Sequence, residues 1–130
     1  MARWTVNTKV LEFPAVSLGE WDADATEKTW RKWVSSKDPS EWGKREWMKY
    51  RQRFMVYDAE DPMKFESYKL PVVAIVRGKP RLVREAVIAA QRALAGARRG
   101  VDLPEDVKKR LVRLAERCRE KVDKVAGKGD

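Results

Sequence analysis

Arg77, Lys79, Arg81, Arg84, Arg92, Arg98 and Arg99 all fall within residues 71–100, where Glu85 is the single carboxylate. Arginine carries a planar fork of donors that matches phosphate bidentately and also stacks on flat rings. Residues 1–70 hold thirteen Lys and Arg against twelve Asp and Glu, so the net charge of +9 arises almost wholly in the second half. Solvated helix faces normally mix signs, as the last part of the chain does with Glu105, Asp106, Glu116 and Glu120 among its cations. Unpaired cations repel one another and disfavour the compact state. An anionic partner offsets that cost, and a polyphosphate backbone is the commonest one. The expected contact set is therefore these seven cations, joined by Trp21 and Trp42, each beside a helix start where one ring face can stay wet.

The chain contains six tryptophans, and several neighbour cations, as in "TWRKW" and "EWMKYRQRF". Such pairing allows a base to stack while a phosphate meets Lys or Arg. It also suits a small helical domain that fills its core with aromatics. The helical spacing of Trp30, Trp33, Trp47 and Phe54 favours the core.

Covalent chemistry has little to work with. The chain has no His, which excludes a Ser-His-Asp or Cys-His arrangement and a zinc site built from several Cys and His. The lone Cys118 lies on an apolar stripe and reads as a packed thiol. The glycines match neither a P-loop nor a dinucleotide fingerprint. Asp58, Glu60 and Asp61 have the chemistry to hold a magnesium ion, but acids in a turn before Pro62 are more often solvated. The reading is of a protein that is not an enzyme and uses no cofactor.

The elements that must position these groups can be read along the chain. "RWTVNTKVLEF" carries a weak strand alternation that Pro14 ends. Asp24 with Glu27 resembles a capping box, which predicts a helix over 25–35. Asp38 followed by Pro39 and Glu41 predicts a second helix running to about Val56, with Trp47, Tyr50, Phe54 and Tyr57 as its aromatic stripe. "DAEDP" breaks it, and an irregular crossing leads to Pro71. "VVAIV", "RGKP" and "RLV" read as a small hairpin. Residues 81–99 then turn helical, with Val83, Val87, Ala90, Leu94 and Ala97 on one face and Arg81, Arg84, Arg92 and Arg99 on the other. "VDLPEDV" opens a last helix with a seam of Val107, Leu111, Leu114, Cys118, Val122 and Val125. The expected class is α+β and mainly helical, with three or four helices and one small β-hairpin.

A chain of 130 residues fits one domain, placed at 1–125 with a flexible tail at 126–130. No stretch approaches the ~20 apolar residues of a membrane span, and the start lacks a signal-peptide core, so a cytoplasmic location is expected. One Asn, two Gln, one Cys and no His beside abundant Lys, Arg and Glu resemble the balance of thermostable proteins.

Trp47, Tyr50, Phe54, "WVSSKD", "YDAEDPMKFESYKLP" and "GARRGVDLPEDV" together resemble a module of tailed-phage genomes that accompanies prohead proteases and occurs in uncharacterised head-gene proteins. The likeness spans about Trp21 to Val122 and is most specific at Ser67–Pro71 and Gly96–Pro104. Arg99 departs from the module's usual glycine, and no protease domain precedes it here. The resemblance implies a viral or provirus-like origin and an accessory, non-proteolytic role; it supplies no ligand or site residue. Two functions lead, ahead of a weaker third, a metal-dependent nuclease using the acids near Asp58. The first is nucleic-acid binding, to single strands or duplex, without strong sequence specificity, since no helix-turn-helix, zinc-finger or RNP signature is present. The second is a head-assembly or scaffold-like module whose basic surface meets an acidic viral protein and whose last helix self-associates through Leu111, Leu114 and Val122.

Overall fold

The structure is a computed structural model and describes residues 2–96 and 100–128. Among these residues it has six short strands in two three-stranded sheets and four α-helices, an α+β arrangement in which the expected hairpin is only part of the β structure.

The first sheet has the order β1-β3-β4, built from β1 (Trp4–Val6), β3 (Phe54–Asp58) and β4 (Tyr68–Pro71), all antiparallel. The second has the order β2-β6-β5, from β2 (Ala15–Val16), β6 (Lys79–Val83) and β5 (Val73–Val76). In it β2 runs parallel to β6, and β5 and β6 form the antiparallel hairpin. Arg77 and Gly78 make the two-residue turn, with φ of 53° and 81°. Two consecutive left-handed residues match the right-handed twist of the strands they join, which is why "RGKP" turns here.

Helix α1 (Ala23–Val34) starts two residues earlier than the capping pattern predicts. Its cap is Asp22, which accepts the Ala25 N–H at 3.0 Å, in place of Asp24. Asp38 does accept the Ser40 N–H at 2.9 Å ahead of Pro39, but it opens only a 3-10 turn, Pro39–Glu41. Helix α2 (Lys44–Tyr50) begins afresh at Gly43, whose N–H donates to Glu46 Oε1 at 2.6 Å. It does not reach Val56. Phe54, Met55 and Val56 are buried in succession, as befits the central strand of a sheet, and the run "FMVY" pairs with β1 on one side and β4 on the other. The three-to-four spacing of its aromatics fits a helix equally well, and non-local pairing decides between them.

Helix α3 (Arg84–Leu94) and helix α4 (Glu105–Lys128) pack against each other. The α4 seam is as expected, with Val107, Leu111, Leu114, Cys118 and Val122 buried; Val87 joins them, whereas Leu94 is half-buried against the core. Leu111, Leu114 and Val122, the residues expected to mediate self-association, are buried within their own chain. Helix α4 continues to Lys128, through the first residues assigned above to the tail. No helix among the described residues is long and apolar enough to cross a membrane.

Two local features mark the interior. Trp42, Trp47, Tyr50, Phe54, Phe65 and Tyr68 form one aromatic cluster with neighbouring ring centroids 5.0 to 5.9 Å apart. Each such pair contributes roughly 0.5–1.5 kcal/mol beyond its burial. Beside them the Arg53 guanidinium is buried. It donates to the carbonyls of Val73 (2.9 Å) and Ala23 (3.0 Å) and to the Thr26 hydroxyl (3.0 Å). Its Nε sits 3.3 Å from Glu27 Oε1, in ion-pair contact but without an aligned hydrogen bond. Glu27 also takes Arg31 Nε at 2.7 Å and the Tyr50 hydroxyl at 2.6 Å.

Candidate nucleic-acid interface

The hairpin presents Arg77 in its turn and Lys79 and Arg81 at alternate positions of β6, hence on one face. Arg77 and Lys79 are exposed and Arg81 is half-buried. None of the three has an ion-pair partner among the described residues. Arg81 therefore belongs to a strand and not to the helical arginine stripe expected for it.

The stripe itself is largely dissolved by the fold. Arg84 opens α3, but its Nε lies 3.0 Å from Asp123 Oδ1 on α4 and its Nη1 3.8 Å from Glu85. It is neutralised, contrary to the expectation of uncompensated charge, by a carboxylate 39 residues away in sequence. Arg92 is exposed and shares a groove with half-buried Trp21, together with Glu20 and Glu85. Those two acids make this groove a poor cradle for phosphate. The Trp21 ring packs on the core and carries the Arg53 guanidinium 5.3 Å from its centroid. Trp42 does not keep a wet face. It is buried, and its indole N–H donates to the Lys37 carbonyl at 3.2 Å, so it is withdrawn from any surface contact. Arg98 and Arg99 lie outside the described residues.

The structure assembles a second cationic surface that charge counting by segment does not single out. On α4, Arg110, Arg113 and Arg117 stand at i, i+3 and i+7 and line a shallow cavity of about 200 Å³ with Val6, Thr8 and Leu114. Lys121, one turn on, donates to the Leu11 carbonyl at 2.6 Å. None of these four meets a carboxylate among the described residues. A second cavity, of about 380 Å³, lies at the start of the 3-10 turn Thr8–Glu12 and is lined by Asn7, Lys9, Trp33, Arg45, Met48, Lys49, Arg51 and Gln52. Four of those side chains are cations and no acid is among them. Two are anchored: Lys49 Nζ sits 4.1 Å from the Trp33 centroid and donates to the Trp33 carbonyl, while Arg51 donates to the Tyr57 hydroxyl at 3.2 Å. The signal is present in sequence as the cation–aromatic text around Trp33 and Lys49 and the i, i+3, i+7 arginines of the last helix. What conceals the latter is counting α4 charges together: Asp106, Glu116 and Glu120 stand three or four residues from these arginines, yet none comes within ion-pair distance of them.

The acids and the thiol with chemistry to offer are occupied structurally. Asp58 accepts the N–H groups of Arg3 (2.9 Å) and Glu60 (3.0 Å), the first holding its carboxyl below the usual range, and Asp61 pairs with Lys64 at 2.8 Å. Burial pushes the Cys118 thiol up to about 11, so it stays protonated and inert at neutral pH. Comparison with protein families, curated proteins and solved structures finds no match to this chain.

Proposed function

We propose that the chain is a non-enzymatic accessory protein, of the viral or provirus-like origin its phage-module resemblance implies, that binds nucleic acid through phosphates without strong sequence specificity. The observation that carries this reading is a contrast within one molecule. Arg31, Arg53, Arg84 and Arg119 each sit against a carboxylate, whereas Arg77, Lys79 and Arg81 on the hairpin and Arg110, Arg113 and Arg117 on α4 have none among the described residues. No carboxylate among the described residues comes within ion-pair distance of these cations, and the self-repulsion this leaves is what a phosphate backbone offsets. The contact set thus retains Arg77, Lys79 and Arg81, adds the α4 stripe, and gives up Arg84 and Trp42.

Fluorescence anisotropy with labelled single strands, duplex DNA and RNA at low and physiological salt tests it. The expected result is binding to at least one polymer that weakens steeply with salt and varies little with sequence. No binding to any of them defeats the reading and leaves the head-assembly alternative, in which the same cations meet an acidic protein.

A further inference from the structure

The cavity between the Thr8–Glu12 turn and α2 is larger than the one lined by the α4 arginines, about 380 Å³ against about 200 Å³, and falls within the range of sites that hold small molecules. It combines charge with apolar side chains, since Met48, 43% exposed, and half-buried Trp33 both line it. One side of the Trp33 ring packs on Trp30, centroids 4.6 Å apart, and Lys49 sits over the ring as well, so flat stacking on it is blocked. A base can instead rest against the exposed Met48 side chain. Lys9 and Arg45 have no ion-pair partner among the described residues and are placed to take the adjoining phosphate, while the tethers on Lys49 and Arg51 fix two further charges before any ligand arrives.

We infer that this cavity receives one unpaired nucleotide and thereby makes the protein prefer single strands over duplex, an inference that rests on the nucleic-acid reading above. In a duplex the bases are stacked and paired inside a stiff cylinder, so its phosphates can meet the α4 stripe but its bases have no way into a concavity. An unpaired strand can turn a base outward at little cost. The molecule thus has an arginine stripe that any backbone can use and a pocket that only a single strand can fill.

The test compares a labelled twelve-nucleotide single strand with a duplex of the same sequence at matched salt. The doubly substituted Lys9→Ala, Arg45→Ala chain should bind single strands about tenfold or more weakly while duplex affinity stays within about twofold. Met48→Glu, at an exposed side chain that the core does not need, should produce the same asymmetry by placing a carboxylate at the cavity. Arg113→Ala with Arg117→Ala should weaken both polymers alike. Equal weakening for single strand and duplex, or none for either, in the Lys9/Arg45 and Met48 variants overturns the inference while the nucleic-acid reading stands. Failure of the unsubstituted protein to bind either polymer overturns both.

Discussion

Leu70 is buried yet holds φ at +61°, a left-handed conformation that a leucine rarely adopts and that costs of order 1–3 kcal/mol. The strain sits between Tyr68 and Pro71, where β4 ends and the Val72 N–H must turn to reach the Arg53 carbonyl at 2.8 Å. The neighbouring Tyr68 packs in the aromatic cluster and donates its hydroxyl to the Pro62 carbonyl; burial pushes that hydroxyl's pKa up to about 12. This stretch is architectural. Leu70→Ala keeps a Cβ, hence the backbone strain, and removes the burial, so it should lower stability by ~2–5 kcal/mol in denaturant titration with affinity for nucleic acid unchanged. Weakened affinity at unchanged stability would make the motif part of the site. Glu85 is a second residue with a measurable signature. Burial raises its pKa, but hydrogen bonds from the Leu18 N–H and the Ser17 hydroxyl, both 2.7 Å, outweigh this and hold it below the ordinary value. A carboxylate whose pKa is depressed by folding contributes stability above its unfolded pKa, about 4.3, and loses it as pH falls through the lower folded value. Glu85→Gln should therefore be less stable than the parent at neutral pH, with the gap closing below about pH 4. A gap independent of pH would mean that the carboxylate's charge is not what the 17–19 loop uses.

The elements show which parts of the chain announce themselves. The β5–β6 hairpin is legible because a β-branched run, a turn with a glycine and a return strand are all local signals, and the α4 seam is legible because one apolar period repeats along most of the helix. The β1-β3-β4 sheet is not, since its strands are three to five residues long and β1 meets β3 only through residues such as Trp4 and Asp58, far apart in the chain. Nothing near Phe54 records that Trp4–Val6 will lie beside it. The same non-locality hides the fate of Arg84, whose partner Asp123 lies on the following helix, and of Trp42, which looks half-wet only until its aromatic neighbours Trp47, Tyr50 and Phe65 are in view. The buried Arg53 is the strongest case. It joins α1, through Ala23, Thr26 and Glu27, to the Val73 carbonyl of β5, and desolvation pushes its pKa down against the pull of Glu27. Removing the acid leaves that cation buried and unpaired, so Glu27→Ala should cost ~3–5 kcal/mol in urea unfolding. A cost below about 1 kcal/mol would show that the carbonyls alone satisfy the guanidinium.

For the molecule as a whole, some cations pair with carboxylates while others do not, and among the latter the hairpin, the α4 stripe and the cavity at the Thr8–Glu12 turn bring several together. Charge counting over thirty residues identifies the excess in the second half of the chain but not its geometry, because surface charge is distributed by face and not by segment. A double reversal at Arg84 and Arg92 is consequently a poor probe: Arg84→Glu would set a third acid against Asp123 and Glu85 and unsettle the packing between α3 and α4. Neutral substitutions on α4 avoid this, since Arg113→Gln and Arg117→Gln place no new acid beside Glu116 and Glu120, and both positions are exposed and lie away from the buried seam. The most direct measurement is affinity as a function of salt for the parent and for Arg113→Gln with Arg117→Gln, on single-stranded and duplex DNA, with melting temperature recorded alongside. Expected are an unchanged melting temperature, weaker binding to all sequences alike, and a slope of log affinity against log salt that is shallower by ~0.7–0.9 for each phosphate that the protein no longer neutralises. Affinity and slope equal to the parent's on both polymers would contradict the nucleic-acid reading.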